Sequence, residues 1–260
     1  MVGYPVKNFI SNLKLKNFNN PYAPGVILAL LLTWKLISLS YNPVILPSPE
    51  NTAVTIRSMV GTADFWEKIL RTFARVSFGY LLSLVLGSGI GMAMGLNNKL
   101  NSSLSPVVSV LQTTPNVSWI LLAIIWFGLN WRIVVFTIFI STIPIFIINA
   151  RQGVSNTDEG FLEMGSVYEL GPLTKFRKIY LPSTKPYILS AGEITVERAW
   201  KIGAMAELLS LNTGIGAGLY WARNNLETDR IFAWTVVLIF LGYLSSKILK
   251  QVVASFSARF

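Results

Sequence analysis

The 260-residue chain contains no cysteine and no histidine. Those two absences exclude thiol nucleophiles, disulfides, Cys/His zinc sites and imidazole acid–base chemistry together. Charge is scarce as well, at 13% of residues against 52% hydrophobic, and the mean hydropathy is +0.53. That apolar content exceeds what a water-soluble domain carries. A Walker loop is missing too. The nearest glycine-rich runs, "GSGIGMAMG" (Gly87–Gly95) and "NTGIGAG" (Asn212–Gly218), lack the lysine that meets phosphates, so no ATP site of that kind exists in the chain.

What is present is a series of long apolar runs. About 20 apolar residues span a bilayer, and six stretches approach that length: Gly25–Tyr41, Thr72–Leu96, Leu104–Phe127, Ile133–Ala150, Pro186–Leu211 and Ile231–Val253. The expected fold is therefore an all-α integral membrane protein with about six transmembrane helices in a single domain, residues 1–260. The third stretch holds Pro106 and Pro115 and is expected to bend at "QTTPN". Lys35 interrupts the first, and "WEKILR" (Trp66–Arg71) reads as an interfacial helix entering the second. Five tryptophans, Trp119, Trp126, Trp131, Trp221 and Trp234, suit the membrane interfaces.

The net charge of +10 is distributed between the spans, which favours orientation and lipid contact over nucleic acid. With six spans both termini share a side. That side gathers Lys7, Lys14, Lys16, Lys99, Arg151, Lys175, Arg177, Lys178, Lys185, Lys247, Lys250 and Arg259. The other holds Arg57, Lys68, Arg71, Arg132, Arg223 and Arg230, so the richer side is expected to be cytoplasmic. Residues 1–24 then form a cytoplasmic N-terminal segment and 151–185 a cytoplasmic loop. The N-terminal lysines followed by an apolar run superficially fit a signal peptide, but no small-residue cleavage site follows, so a retained first span is expected.

The loop is unusual for so apolar a chain. In "EGFLEMGSVYELGPLTKFRKIYLPSTKPY" (Glu159–Tyr187), Phe161, Met164 and Tyr168 fall on one helical face, with Ser155 and Asp158 available as caps. Gly171-Pro172 stops that helix. A second short helix follows, with Leu173, Phe176, Ile179 and Tyr180 on its apolar side and Lys175, Arg177 and Lys178 opposite; Pro182 is expected to end it and Pro186 to open the fifth span. On pattern alone a docking element and a plain surface connector are equally good readings.

The fifth span carries Glu193, Glu197, Arg198, Lys201 and Glu207 where charge is expensive. Glu193, Glu197 and Lys201 recur every four residues, and Glu197 precedes Lys201 in the favourable i,i+4 order. Either these charges form a self-neutralising packing network or they line a solute path. Gly87, Gly91 and Gly95 make two G-x-x-x-G spacings suited to close helix packing, within the chain or against a second copy. "NTGIGAG" suits a re-entrant turn, with an anion cradle as the other reading. Arg75 in the second span and Lys35 in the first are weaker candidates for the path, since snorkelling towards an interface accounts for both.

The loop resembles the "EAA" motif of ABC-importer permeases, in which Glu-Ala-Ala is followed by Gly and then Ile-x-Leu-Pro. Glu163-Met164-Gly165 takes the Glu-Ala-Ala place and Ile179-Tyr180-Leu181-Pro182 completes it; the family's Gly falls on Glu169, with Gly171 two residues late. "LPSPE" (Leu46–Glu50), "IWFGLNWR" (Ile125–Arg132), "AELLSLNTGIGAGLYWAR" (Ala206–Arg223) and "ETDRIFAW" (Glu227–Trp234) are similar to the nitrate/sulfonate/taurine/bicarbonate branch. The resemblance implies a type I permease whose loop is a coupling helix docking on cytoplasmic ATPase subunits. It further implies MgATP on those partners and no cofactor here, a second permease copy, and an extracellular solute-binding protein. A passive channel, or a membrane enzyme using Glu193 and Glu197 as acid and base, are the alternatives.

Overall fold

The computed structural model describes residues 22–257. Every regular element among them is helical. In chain order these are α1 (Ala23–Ser38), α2 (Pro49–Val60), α3 (Ala63–Leu96), α4 (Asn98–Thr113), α5 (Asn116–Phe127) and α6 (Arg132–Ser155). They continue as α7 (Glu159–Val167), α8 (Pro172–Lys175), a π-helical segment (Phe176–Tyr180), α9 (Leu181–Ser210), α10 (Ile215–Asn224) and α11 (Thr228–Ser257). The expected N-terminal cytoplasmic segment lies outside the described residues up to Tyr22, and Arg259 lies beyond them as well.

Three described helices, α3, α6 and α11, are long and apolar enough to cross a bilayer. The pair α4–α5 is long and apolar enough only when taken together, as a broken span or a re-entrant loop, and its 97° bend falls at Thr114-Pro115 as the prolines led one to expect. By contrast Pro106 sits inside α4 without ending it. At 30 residues, α9 is about 45 Å long; length suffices for a crossing, and only its charges set it apart. The "WEKILR" stretch is not a separate interfacial helix but the opening turns of α3, capped by the Thr62 hydroxyl, which accepts from Phe65 N.

The α3–α6 contact is the most extensive in the fold. Small residues every four positions on α3 make it close: Gly79 lies on Val135 and Ile138, Gly87 on Ile143 and Phe146, Gly91 on Ile147 and Ala150, Gly95 on Arg151 and Val154. Both sets of numbers rise together, so the helices run parallel and the glycine face packs within the chain. Midway, Ser83 replaces glycine; it accepts a hydrogen bond from the Thr142 hydroxyl at 2.7 Å and donates to the Phe139 carbonyl at 3.2 Å. Without water, each polar group in such an interface must find a partner of this sort.

Antiparallel to α6, α9 packs with Gly153 on Thr184 at one end and Gly203 on Val134 and Ile138 at the other. The bundle thus has two ends. One collects the end of α3, the 156–180 loop and the start of α9. The opposite end collects α2, the start of α3, α10 and the start of α11. The main core, around Val76, Ile120, Ile138, Trp200, Ile215 and Trp234, lies towards the second end. Trp234, expected at an interface, is buried and stacks on Phe65 at 5.2 Å.

Helix α1 is held by few contacts. Trp34 donates its indole N–H to the Pro47 carbonyl at 3.0 Å and stacks on Phe232. Lys35 pairs with Glu50 at 2.7 Å, which explains a charge inside an apolar run. The hydrogen bond from Lys35 holds the Glu50 carboxyl below its ordinary value.

The glycine row gives a direct test. Gly91→Leu should destabilise the detergent-solubilised protein by about 1–3 kcal/mol or more, since a Cβ there meets the Ile147 carbonyl and Ala150. Gly89, two residues away with open space around it, should accept alanine with a gain of about 0.5–1 kcal/mol. Thermal unfolding of the two variants measures the difference.

Candidate functional site

The loop between α6 and α9 is built by local hydrogen bonds. Asp158 caps α7, its carboxylate accepting from Gly160 N at 2.8 Å; Ser155 belongs to the last turn of α6 and does not share that role. At the other end, Leu170 N donates to Gly165 O at 2.9 Å and Glu169 N to Ser166 O at 3.0 Å. These are the two bonds of a Schellman cap, and Glu169 occupies its left-handed position with φ +47°. The conformation that glycine takes without cost is therefore adopted by Glu169, where the resembled motif has Gly. Gly171 is ordinary extended backbone, φ −62° and ψ 158°, as a residue before proline should be.

Gly165 is buried against Ile179, whose Cδ1 would lie 2.8 Å from an added Cβ. The small residue of one half of the motif thus seats the isoleucine of the other. Glu163, Met164, Phe161 and Tyr168 remain exposed, while Lys175 steadies the fold-back by donating to the Ser166 hydroxyl at 3.1 Å. Leu181 and Pro182 are exposed.

The expected second short helix is not separate. From Pro172 the chain stays helical to Ser210, passing through the π segment. Pro182 and Pro186 lack the N–H groups that would bond Lys178 and Pro182 carbonyls. The widened turn just before Pro182 accommodates it, so the helix continues where a Pro stop was expected, and Pro186 sits inside α9 without ending it. The second half of the loop is consequently continuous with one end of α9.

The five charged residues of α9 divide. Glu197, Arg198 and Lys201 are exposed and Glu193 is half-buried, with no ion pair among these four. The expected Glu197–Lys201 pair does not form; two open side chains gain too little from pairing to pin their geometry. Glu207 lies six residues beyond Lys201, roughly 240° around the helix, and is 0% exposed.

Around Glu207 three elements meet. Its Oε1 accepts from the Arg75 guanidinium of α3 at 2.6 Å. Its Oε2 accepts from the Thr72 hydroxyl at 2.7 Å and from Gly216 N, in the first turn of α10, at 3.1 Å. Arg75 also donates to the Thr213 carbonyl at 2.9 Å and the Thr213 hydroxyl at 2.7 Å, and Thr72 accepts from Ile215 N at 2.8 Å. Two backbone donors of "NTGIG", Ile215 N and Gly216 N, are thus taken by the chain itself, with Glu207 as the anion at a helix N-terminus. Gly214, at φ +99°, leaves the space the carboxylate occupies.

Two sequence expectations change here. Arg75 is 8% exposed and does not snorkel; Glu207 belongs with this knot and not with the exposed charges of α9. The available signal was a lone arginine within one span and an acid on the inward face of another.

A bundle with several helices long and apolar enough to cross a bilayer, joined by a loop that exposes an apolar face, defines a helical membrane protein. The chain belongs to the family described as binding-protein-dependent transport system inner membrane component, whose model matches residues 83–259. It is 28% identical over 258 residues to the nitrate import permease protein NrtB of Synechococcus elongatus, covering 95% of this chain and 91% of that one. Against NrtB of Leptolyngbya laminosa it is 29% identical over 180 residues, 69% of this chain and 64% of that protein. With the bicarbonate transport system permease protein CmpB of Synechocystis it shares 30% over 203 residues, 73% and 72% of the two chains. The fold matches the inward-facing MetNI methionine ABC transporter with a TM-score of 0.64 at 17% identity, over 72% of this chain and 93% of that one. It also matches an amino acid ABC transporter at 0.61 and 17%, over 79% and 98%. The chain is an ABC-importer permease subunit of the membrane.

Two substitutions test the local analysis. Arg75→Ala strands a buried carboxylate and should cost about 3–5 kcal/mol, whereas replacing Arg75 and Glu207 together by methionine should recover much of that loss. Glu169→Gly should raise stability by about 0.5–1 kcal/mol by removing a side chain from the left-handed position. Both are read by unfolding in detergent.

Proposed function

We propose that this permease subunit imports a small anion of the nitrate, bicarbonate or sulfonate class, received from a binding protein and passed inward by alternating access. One observation carries the reading: Glu197, Arg198 and Lys201 stand exposed and unpaired on a helix of membrane length. Hydrocarbon cannot cover three such charges, so this face meets an aqueous path or a second permease copy. The names of the relatives support the solute class.

Cytoplasmic ATPase subunits carrying MgATP dock on α7, through Glu163 and the exposed Phe161, Met164 and Tyr168. Gly165, Glu169, Gly171, Ile179, Leu181 and Pro182 shape that element and its join to α9. Closure of the ATPases pushes the loop; the unbroken helix from Pro172 to Ser210 carries the displacement to the charged face. Both termini lie on the cytoplasmic side in this reading. Glu193, Glu197, Arg198 and Lys201 line the path, while Glu207 holds the fold around it.

The test is MgATP hydrolysis by the complex that copurifies with tagged permease, reconstituted in lipid, with binding proteins loaded with nitrate, bicarbonate, taurine or an alkanesulfonate. Stimulation by one loaded protein is expected and identifies the solute; a folded permease that brings no ATPase and shows no hydrolysis overturns the reading. Glu163→Arg should weaken ATPase association. Lys201→Met should reduce transport at least about tenfold with assembly intact, and loss of assembly would instead assign Lys201 to packing.

A further inference from the structure

Helix α4 has two unlike sides. On one, Leu104, Val108 and Leu111 pack with Met94, Ile143 and Ile147. On another, Asn98, Asn101, Ser105, Ser109 and Gln112 follow at intervals of three and four residues, which gathers them into a single polar stripe without a charge. α4 runs antiparallel to α6, since Asn101 lies beside Arg151 while Val108 clusters with Ile143 and Ile147. Seven residues past Ser105, or about 10 Å, Gln112 therefore stands level with the middle of α6.

Hydrocarbon does not suit this stripe. Serine tolerates it by bonding back to its own helix, as Ser105 does to the Asn101 carbonyl at 2.7 Å and Ser109 to the Ser105 carbonyl at 3.0 Å. Gln112 has no such escape: its amide is exposed and without a hydrogen-bond partner among the described residues. An amide left unsatisfied at that depth is costly, so the stripe calls for water or a polar ligand.

The end of the stripe nearer the α6–α9 loop says which ligand. Arg151, half-buried on α6, donates from Nη1 to the Asn101 Oδ1 at 2.9 Å and to the Ser105 hydroxyl at 3.4 Å. Both partners are neutral, and no carboxylate pairs with Arg151 among the described residues. Its charge is uncompensated and its remaining N–H groups are open, a planar fork that matches two oxygens of an oxyanion. On α6 the incompletely buried line Ser141, Ile145, Ile148, Gln152 runs between the residues that meet α4 and those that meet α9. Because α4 and α9 are both antiparallel to α6, their right-handed turn brings the stripe of one and Arg198 and Lys201 of the other to this same side.

We propose that Arg151 and the polar stripe of α4 form an anion site on the inner half of the import path, in which the guanidinium holds a small oxyanion and the neutral amides and hydroxyls solvate it. The proposal rests on the import reading above and gives the path a second wall, facing the charged side of α9. A single cation among neutral donors binds a monovalent anion firmly enough to receive it and loosely enough to let it leave.

The chain has no cysteine, so single thiols can be introduced without background. In the reconstituted complex, Ser109→Cys and Gln112→Cys should react with a charged, water-soluble thiosulfonate reagent, whereas Val107→Cys and Val110→Cys, exposed on the side of α4 away from the stripe, should not. Nitrate at about ten times its half-protecting concentration should slow labelling of Ser109→Cys about tenfold, with gluconate at equal ionic strength as the control. Combined with Arg151→Gln, which keeps an amide to donate to Asn101, the half-protecting concentration should rise about tenfold or more, and Arg151→Lys should fall between. If Ser109→Cys and Gln112→Cys stay unlabelled, the stripe faces lipid and the proposal is overturned. Labelling that nitrate, bicarbonate and methanesulfonate all leave unchanged overturns it as well, since the wall then holds water and no anion. Equal protection with and without Arg151→Gln removes the guanidinium from the site and has the same consequence; should Arg151→Gln fail to assemble, Arg151→Lys makes that comparison. None of these results touches the import reading, which stands on stimulated hydrolysis. A wild-type complex that takes up none of the three anions overturns that reading, and the site with it.

Discussion

Glu207 is a carboxylate with no water to face, and much of one end of the bundle is arranged to satisfy it. Arg75 comes from α3, Thr72 from one turn earlier, and Gly216 N from the start of α10. The attraction between the charges does not by itself repay their desolvation. What the knot secures is geometry: once the carboxylate is buried, removing any donor is costly, so the ends of three helices and the 211–214 turn are held in one arrangement. The glycines at 214 and 216 follow from it, because a Cβ at either would enter the volume of the Glu207 side chain.

Away from that knot the bundle is held by proximity more than by charge. Lipid is as apolar as leucine, so helices in a membrane gain from close packing of small residues and from hydrogen bonds between them. The row Gly79, Ser83, Gly87, Gly91, Gly95 brings the second half of α3 against most of the length of α6. α9 then lies across α6 with Gly153 and Gly203 at its contacts. The result is a rigid frame in which the one continuous rod from Pro172 to Ser210 links the loop at one end to the Glu207 knot at the other.

Two helices end in the same way on opposite sides of this frame. α7 closes with Glu169, α10 with Leu226, each a non-glycine residue in left-handed conformation at a Schellman cap. Both side chains are exposed, an acid on the loop between α6 and α9 and an apolar residue at the opposite end of the bundle. Strain of this sort is retained where a side chain matters more than the local backbone energy.

The membrane class, the helical composition, the break at Thr114-Pro115 and the motif around Glu163 and Ile179 were legible in the sequence, because hydrophobic run length, proline chemistry and local spacing act over a few turns of chain. The same locality misled at Pro182, where a missing N–H normally ends a helix and a π turn let it continue. It also misled at Arg75, Glu207 and Trp234, whose partners are far away in sequence: Glu207 is 132 residues from Arg75, and no periodicity relates them. Whether a charge in a span faces solute, lipid or another charge depends on which helix stands opposite. That is set by how small residues allow α3, α6 and α9 to approach one another, and only the tertiary structure decides it.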